Sequence, residues 1–158
     1  MSDLPFSPFP PPGTHAELEE GTRFTPRFDA DGLIPAAVTD AKTGELVMHA
    51  WMNAEALART IETGEAWYWS RSRGELWHKG ATSGQIQHVI AILTDCDQDT
   101  IWLKVEVAGN GASCHVGYHS CFYREITRTA DGTVGLTFSG KEKVYDPAEI
   151  YGHPHKHD

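Results

Sequence analysis

Two segments in the middle of the chain show the alternation of apolar and polar residues that is typical of half-buried strands. Residues 86–93 are rich in β-branched side chains, and residues 101–107 alternate cleanly between apolar and polar positions. Both segments therefore predict strands, and the polar residues between them predict a hairpin. Other apolar runs beside turn-forming residues predict two more hairpins and two later strands, over 33–38 with 45–51, 66–71 with 75–79, 121–126 and 132–138.

Residues 53–63 have the period of an amphipathic helix instead. Asn53 is a good N-cap, Glu55 suits the positive start of a helix, and Gly64 is placed to end it. The apolar stripe predicted for this helix consists of Ala54, Leu57, Ala58 and Ile61. A short helical turn is also predicted over residues 16–20.

Composition narrows the class of protein. A length of 158 residues predicts one domain, and a formal net charge of −9 argues against a general nucleic-acid binder. The first residues lack the features of a signal peptide, and no apolar run approaches the length of a membrane span. Three cysteines, an odd number, do not predict a disulfide framework. We therefore expect a cytoplasmic protein with neither nucleic acid nor membrane as a partner.

The two ends of the chain differ from its middle. Residues 1–13 hold five of the nine prolines, which excludes a helix interior or a central strand there. We predict a proline-rich N-terminal extension over residues 1–22, a central domain over 23–128 and a C-terminal extension over 129–158. The His-rich tail 151–158 is expected to be a disordered terminus rather than a metal site.

The richest candidate chemistry lies in Asp95-Cys96-Asp97-Gln98-Asp99, together with Cys114-His115 and Cys121. A catalytic zinc site keeps three protein ligands and an open position for water, whereas a structural site has four. The three cysteines fit the open case, and carboxylate oxygens suit magnesium better than a thiolate-binding ion. The sequence thus predicts a zinc site from thiolates and a magnesium site from carboxylates.

The expected geometry separates these two sites. If the acidic run is extended, the carboxylates of Asp95, Asp97 and Asp99 point to one side and Cys96 to the other, so one ion could not use all four groups. The residues alone leave other interpretations open. The acidic run could be a solvated turn, and the cysteines could be small buried hydrophobic residues. A fourth ligand, such as His115 or His119, would close the site and indicate a zinc-bearing nucleotide-binding module without catalysis. A thiol redox protein is a further alternative, but no C-x-x-C motif supports it.

A basic and aromatic segment stands out in this acidic chain. Three cationic side chains fall within nine residues, beside tryptophans and hydroxyl groups. Arg forks, hydroxyl groups and backbone N–H groups near glycine bind phosphate oxygens, and tryptophan faces can stack on a base. The segment therefore predicts a site for a phosphorylated nucleotide. Its candidate binding residues are Trp69, Ser70, Arg71, Ser72, Arg73, Lys79 and Ser83.

Taken together, these motifs resemble the phosphoribosyl-AMP cyclohydrolase family of histidine biosynthesis. The resemblance extends over about residues 33–126. It rests on several separate motifs in order, at 52–57, 68–73, 76–77, 79–80, 82–84, 95–99, 114–115 and 120–124. It implies a compact, antiparallel-strand-rich α+β domain with one main helix, assembled as an intertwined homodimer. It also implies a metal-dependent hydrolase that opens the adenine ring of phosphoribosyl-AMP at the N1–C6 bond.

The resemblance also assigns roles to individual residues. It implies that Cys96, Cys114 and Cys121 hold zinc, with Cys96 contributed by the other subunit. Asp95, Asp97 and Asp99 resemble the magnesium ligands, and His115 resembles a catalytic residue. His119 stands where an arginine is frequent in the family, and Trp51 where a tyrosine is usual. The resemblance does not reach the N-terminal arm or the residues after about 128.

Overall fold

The computed structural model describes residues 8–109, 111–139 and 143–144. Two helices and eight strands follow one another along these residues. They are α1 His15–Glu20, β1 Ile34–Asp40, β2 Leu46–Met52, α2 Ala54–Thr63, β3 Trp67–Ser70, β4 Glu75–His78, β5 Gln87–Thr94, β6 Ile101–Val107, β7 Arg124–Arg128 and β8 Val134–Phe138.

A four-stranded sheet in the order β2-β1-β6-β5 forms the centre of the fold. The predicted hairpins β1–β2 and β5–β6 are both antiparallel, and β3–β4 forms a separate antiparallel pair. β1 pairs with β6 in parallel, which joins the two hairpins into one sheet. The α+β architecture rich in antiparallel strands is confirmed. β1 and β6 are far apart in the sequence, so no local pattern predicts that they pair.

Helix α2 begins and ends where its caps predict. The Asn53 side chain accepts a hydrogen bond from the Ala56 N–H at 2.8 Å, and Gly64 has the left-handed conformation of a C-cap, with φ of 73°. The predicted apolar stripe is wrong at its end, because Thr60 is buried and Ile61 is 49% exposed. The Thr60 hydroxyl donates to the Ala56 carbonyl and accepts from the Trp67 N–H, so a tertiary contact turns this face inward.

The hydrophobic core lies between the sheet, α2 and β3. Its fully buried members include alternate residues of β1 and β6, as expected for strands with one face on the core. A polar network crosses this core. The Tyr68 hydroxyl donates to the Gln87 side-chain carbonyl at 2.6 Å, and the Gln87 amide nitrogen lies 3.3 Å from Ser113 Oγ and 3.1 Å from Met48 Sδ. Tyr68 and Gln87 are both fully buried, and burial raises the pKa of Tyr68.

The described part of the N-terminal segment packs against the rest of the domain. The Phe9 ring lies 5.4 Å from that of Phe24 and 6.3 Å from that of Phe28, and all three contact the core. Gln98, in the turn between β5 and β6, binds this segment through its side chain. Its carbonyl oxygen accepts from the Thr25 N–H at 2.8 Å, and its amide nitrogen donates to the carbonyls of Leu18 and Arg23.

The β7–β8 hairpin differs from the prediction at its start, and its apolar side chains do not pack in the core. Residues 121–123, expected to begin a strand, precede β7 instead. Strands β7 and β8 form a two-stranded sheet whose apolar side chains face outward. The most exposed of them are Ile126 (76%), Val134 (64%), Phe138 (61%) and Leu136 (56%). The predicted tail 151–158 lies outside the described residues. Within the described ranges, neither helix is long and apolar enough to cross a membrane.

Replacing Gln98 should loosen the N-terminal segment. Gln98→Ala removes three hydrogen bonds from a buried amide, so we expect the free energy of unfolding to fall by about 1–3 kcal/mol. Tryptic cleavage after Arg23 or Arg27 should become faster. Gln98 has a positive φ of 57°, so Gln98→Gly is the matched control, because glycine removes the amide and relieves backbone strain. Wild-type stability and cleavage rates in Gln98→Ala, which keeps the strained backbone, would show that these hydrogen bonds contribute nothing.

Candidate active site

An open cavity of about 880 Å³ lies between β2, the β3–β4 hairpin and two loops. Strand β2 supplies one wall, and the turn after β3 supplies another. The loop after β4 and the loop that carries Ser113, His115 and Cys121 complete the lining. Deep, partly polar clefts of this size are where proteins bind small molecules.

All seven residues predicted to bind a phosphorylated nucleotide line this cavity, although they come from strand β3, the turn after it and the loop after β4. Ser70 organises one of these turns, because its hydroxyl accepts from the backbone N–H and the Nε of Arg73 at 3.3 and 3.2 Å. Arg73 also lies 3.4 Å from Glu75 across the turn. The hairpin therefore holds its basic side chains at the mouth of the cavity before any ligand arrives.

Lys79 differs from the other cations of the cavity. It is only 8% exposed, and its Nζ lies 5.2 Å from the centre of the Trp77 ring. Its positive charge also helps to lower the pKa of Cys114. Lys79 thus lies between the basic residues of the β3–β4 hairpin and the thiol groups.

Strand β2 contributes cavity residues that sequence reasoning missed. His49 and Trp51 lie two positions apart, which places them on one face of the strand, and their rings meet edge-on at 5.7 Å. The Arg71 guanidinium covers the Trp51 ring at 4.8 Å. The alternation of β2 marks these residues as a pair on the strand face. Only the tertiary fold shows that this face meets the basic hairpin.

Two of the three cysteines meet beside the cavity. Cys114 is buried, and the exposed Cys121 lines the cavity wall. A hydrogen bond between the two thiols lowers the pKa of Cys114 to about 6 and raises that of Cys121. The contact with Cys121 therefore favours the thiolate form of Cys114, and the thiolate is the form that binds zinc. These donors fit a zinc ion, and His115 lies in the same cavity.

The acidic run adopts a different conformation from the one predicted. It is a turn rather than an extended segment, because Asp95 Oδ1 accepts from the backbone N–H groups of Asp99 and Thr100, both at 3.0 Å. The turn still gathers carboxylate oxygens of Asp95, Asp97 and Asp99 within 4.8 Å of one another. Hydrogen bonding to Asp95 and Asp97 raises the pKa of Asp99 to about 6.

This carboxylate cluster has the features of a cation site. Within the described ranges, Asp97 Oδ1 is buried without a hydrogen-bond partner, and the Arg27 guanidinium lies 3.8 Å from the other oxygen. A hard divalent cation would satisfy the orphaned oxygen and neutralise the clustered charges, so the residues fit magnesium.

Cys96 lies apart from the other two cysteines. It is exposed in the acidic turn, beside a smaller cleft that the N-terminal segment shares with Asp95 and Gln98. In the described part of the chain, the acidic cluster is the one group of three potential ligands close enough to share an ion. One copy of the chain therefore does not assemble the predicted three-cysteine site.

The fold and the cavity together define an α+β protein with a basic, aromatic cleft beside paired thiols, the kind of site in which enzymes bind small molecules. Residues 48–123 match the family model described as phosphoribosyl-AMP cyclohydrolase. The chain belongs to the phosphoribosyl-AMP cyclohydrolase family. The resemblance recognised in the motifs is thereby confirmed, and the matched segment contains every cavity-lining residue.

Curated relatives support this assignment over nearly the whole chain. A phosphoribosyl-AMP cyclohydrolase of Chelativorans sp. is 60% identical over 139 residues, covering 88% of this chain and 98% of the relative. One from Rhizobium leguminosarum bv. trifolii is 57% identical over 152 residues, covering 96% and 99%. One from Nitrobacter hamburgensis is 51% identical over 142 residues, covering 90% and 95%.

Magnesium should stabilise the zinc-free protein through the acidic turn. At a concentration a hundred times its Kd, a bound ion adds about 2.7 kcal/mol to the free energy of unfolding. Asp97→Asn should abolish most of this gain, and it should raise the melting temperature without magnesium because it relieves repulsion. Thermal unfolding with and without the ion measures both effects. Glu62→Gln, at an exposed position of α2, is the control. A response of Asp97→Asn equal to that of the wild type would contradict the assignment.

Proposed function

We propose that this protein hydrolyses the N1–C6 bond of the adenine ring in 1-(5-phosphoribosyl)-AMP, a step of histidine biosynthesis. The product would be the ring-opened phosphoribosyl-formimino-imidazole carboxamide. The observation that carries this proposal is the cavity itself, where basic and aromatic residues suited to a phosphorylated nucleotide surround Cys121 and His115. Membership of the cyclohydrolase family supports the same reaction.

Metal chemistry is part of this proposal. Cys114 and Cys121 would hold zinc together with Cys96, and Asp95, Asp97 and Asp99 would hold magnesium. A bound zinc ion would supply water acidic enough to give hydroxide near neutral pH. The lowered pKa of Cys114 supports the thiolate assignment, and the unpartnered Asp97 oxygen supports the carboxylate one.

The protein's own residues would bind the substrate and move protons. Arg71, Arg73 and Lys79 would hold the phosphates, with hydrogen bonds from Ser70, Ser72 and Ser83. Trp69 offers an aromatic face in the same cavity. In the reaction, a water oxygen adds to C6 and the N1–C6 bond breaks. His115 would take a proton from the attacking water and return one to N1, as a general base and then a general acid.

The complete site would be shared between two subunits. Cys96 of the partner subunit would join Cys114 and Cys121, because Cys96 of the same chain is not gathered with them. A homodimer would also cover exposed apolar groups. The β7–β8 hairpin presents Ile126, Leu136 and Phe138 to solvent, and two-stranded sheets are marginal alone. Such a patch is typical of an interface.

Replacing His115 should separate catalysis from binding. In an ultraviolet assay of ring opening with zinc and magnesium supplied, His115→Ala should keep its zinc but lose on the order of 10²-fold in kcat, as a lost proton-transfer group does. Cys114→Ser should lose both zinc and activity. His88→Ala, an exposed position on β5 outside the cavity, is the control. If the wild-type protein binds phosphoribosyl-AMP and zinc but does not open the adenine ring, the chain is a nucleotide-binding module instead.

A mixed dimer should reveal whether the zinc site is shared. Cys96→Ala and Cys114→Ala should each be inactive, and the two proteins are then refolded together. One composite site of the mixed dimer would carry both defects and the other neither, so activity should return to at most about half per dimer. Mixed dimers that form and stay inactive would place each zinc site within a single chain.

A further inference from the structure

His119 faces away from the cavity and toward the turn between β1 and β2. Its Nε2 lies 3.1 Å from Asp40 Oδ2 and 3.5 Å from Glu45 Oε1. On the other side of the ring, Nδ1 lies 2.6 Å from the Gly111 carbonyl oxygen. The ring therefore lies between the Gly111 carbonyl and the two carboxylates, with one nitrogen toward each side. His119 is not among the cavity-lining residues, although Cys121, two positions later, is.

This histidine closes the loop that carries Cys114 and His115. Within the loop, the Ser113 N–H donates to the His119 carbonyl and the Cys114 N–H to the Tyr118 carbonyl, both at 3.2 Å. The His119 ring then bridges from this short ladder to Gly111, at the start of the loop. His119 thus contacts the segment before Cys114 twice, through its carbonyl to Ser113 and through its ring to Gly111.

The loop is also tied to strand β2 beyond His119. The Ser120 hydroxyl donates to the Leu46 carbonyl and the Cys121 N–H donates to the Val47 carbonyl, both at 2.7 Å. His119 adds the charged contact to the neighbouring turn. Its carboxylate partner is well placed, because Asp40 Oδ1 accepts from the N–H groups of Lys42 and Thr43 while Oδ2 faces the ring. The Asp40 side chain is only 14% exposed, so solvent screens this contact weakly.

We infer that His119 and Asp40 form a latch that positions the loop of Cys114 and His115 against the β1–β2 turn. His119 is therefore a positioning residue, not a ligand for a substrate phosphate. The inference rests on the proposed function in one respect only, which is the role that Cys114 and His115 of this loop would have in the reaction. The latch itself is a property of the protein without metal or substrate, and it can be measured there.

Amide hydrogen exchange of residues 111–121 in the full-length, metal-free protein tests the latch. In Asp40→Asn, the side-chain oxygen can still accept from the N–H groups of Lys42 and Thr43, but an amide N–H group faces His119 in place of the second carboxylate oxygen. His119→Ala removes the ring. Each should speed exchange at Ser113 and Cys114 on the order of tenfold, as expected for loss of one charge-assisted hydrogen bond. The double variant should be little faster than either, because both changes break the same contact. His119→Arg, which also offers N–H groups on two sides, should restore much of the protection.

Lys42→Met is the control, since it changes a charge in the same turn but breaks only the exposed contact with Glu106. Its exchange should match that of the wild type. Unchanged exchange in Asp40→Asn and His119→Ala, or fully additive effects, would overturn the latch. Steady-state kinetics provide a second readout. A latch predicts a lower kcat with similar KM in both variants, whereas a phosphate ligand predicts a raised KM in His119→Ala alone, which would also overturn the inference.

Discussion

The arrangement of the site depends on one buried polar contact, the hydrogen bond from Tyr68 to Gln87. Both side chains are fully buried, so each must satisfy its polar atoms within the protein or lose stability. Gln87 meets this requirement by reaching strand β3, Met48 of strand β2 and Ser113 of the loop before Cys114. These are elements that bear the cavity walls. The central sheet thus connects the basic hairpin with the loop of the thiol pair through buried polar groups.

The β5–β6 hairpin keeps the two proposed metal sites apart. The acidic turn lies at one end of the hairpin, whereas Gln87 and the loop toward Cys114 lie at the other. Seven residues of β6 span about 23 Å at the usual rise of a strand. Cys96 is therefore separated from its expected partners by the length of a hydrogen-bonded hairpin. This separation favours completion of the thiol site by a second copy over rearrangement within one chain.

The sequence predicted elements whose signals are local and left out contacts that are tertiary. Strand β6 and both caps of α2 lie where the pattern places them, because alternation and capping act within a few residues. The acidic run was expected to be extended, but Asp95 takes backbone N–H groups and bends it. Ile61 was assigned to the core, but the hydroxyl of Thr60 finds Trp67 instead. Of the predicted site, the nucleotide-binding residues do converge, whereas Cys96 lies at the opposite end of the β5–β6 hairpin from the loop of Cys114.

Electrostatics connects the cavity with the acidic turn. The chain carries a formal net charge of −9, and the proposed substrate carries two phosphate groups, so general attraction cannot bring them together. Local fields must do so, and Arg71, Arg73 and Lys79 concentrate positive charge at the cavity. If the dimer brings a partner's acidic turn beside this cavity, three clustered carboxylates would repel the phosphates unless a cation neutralised them. The proposed magnesium site and the proposed shared zinc site would therefore be linked, since a thiol site completed by Cys96 of the partner subunit would bring the neighbouring aspartates with it.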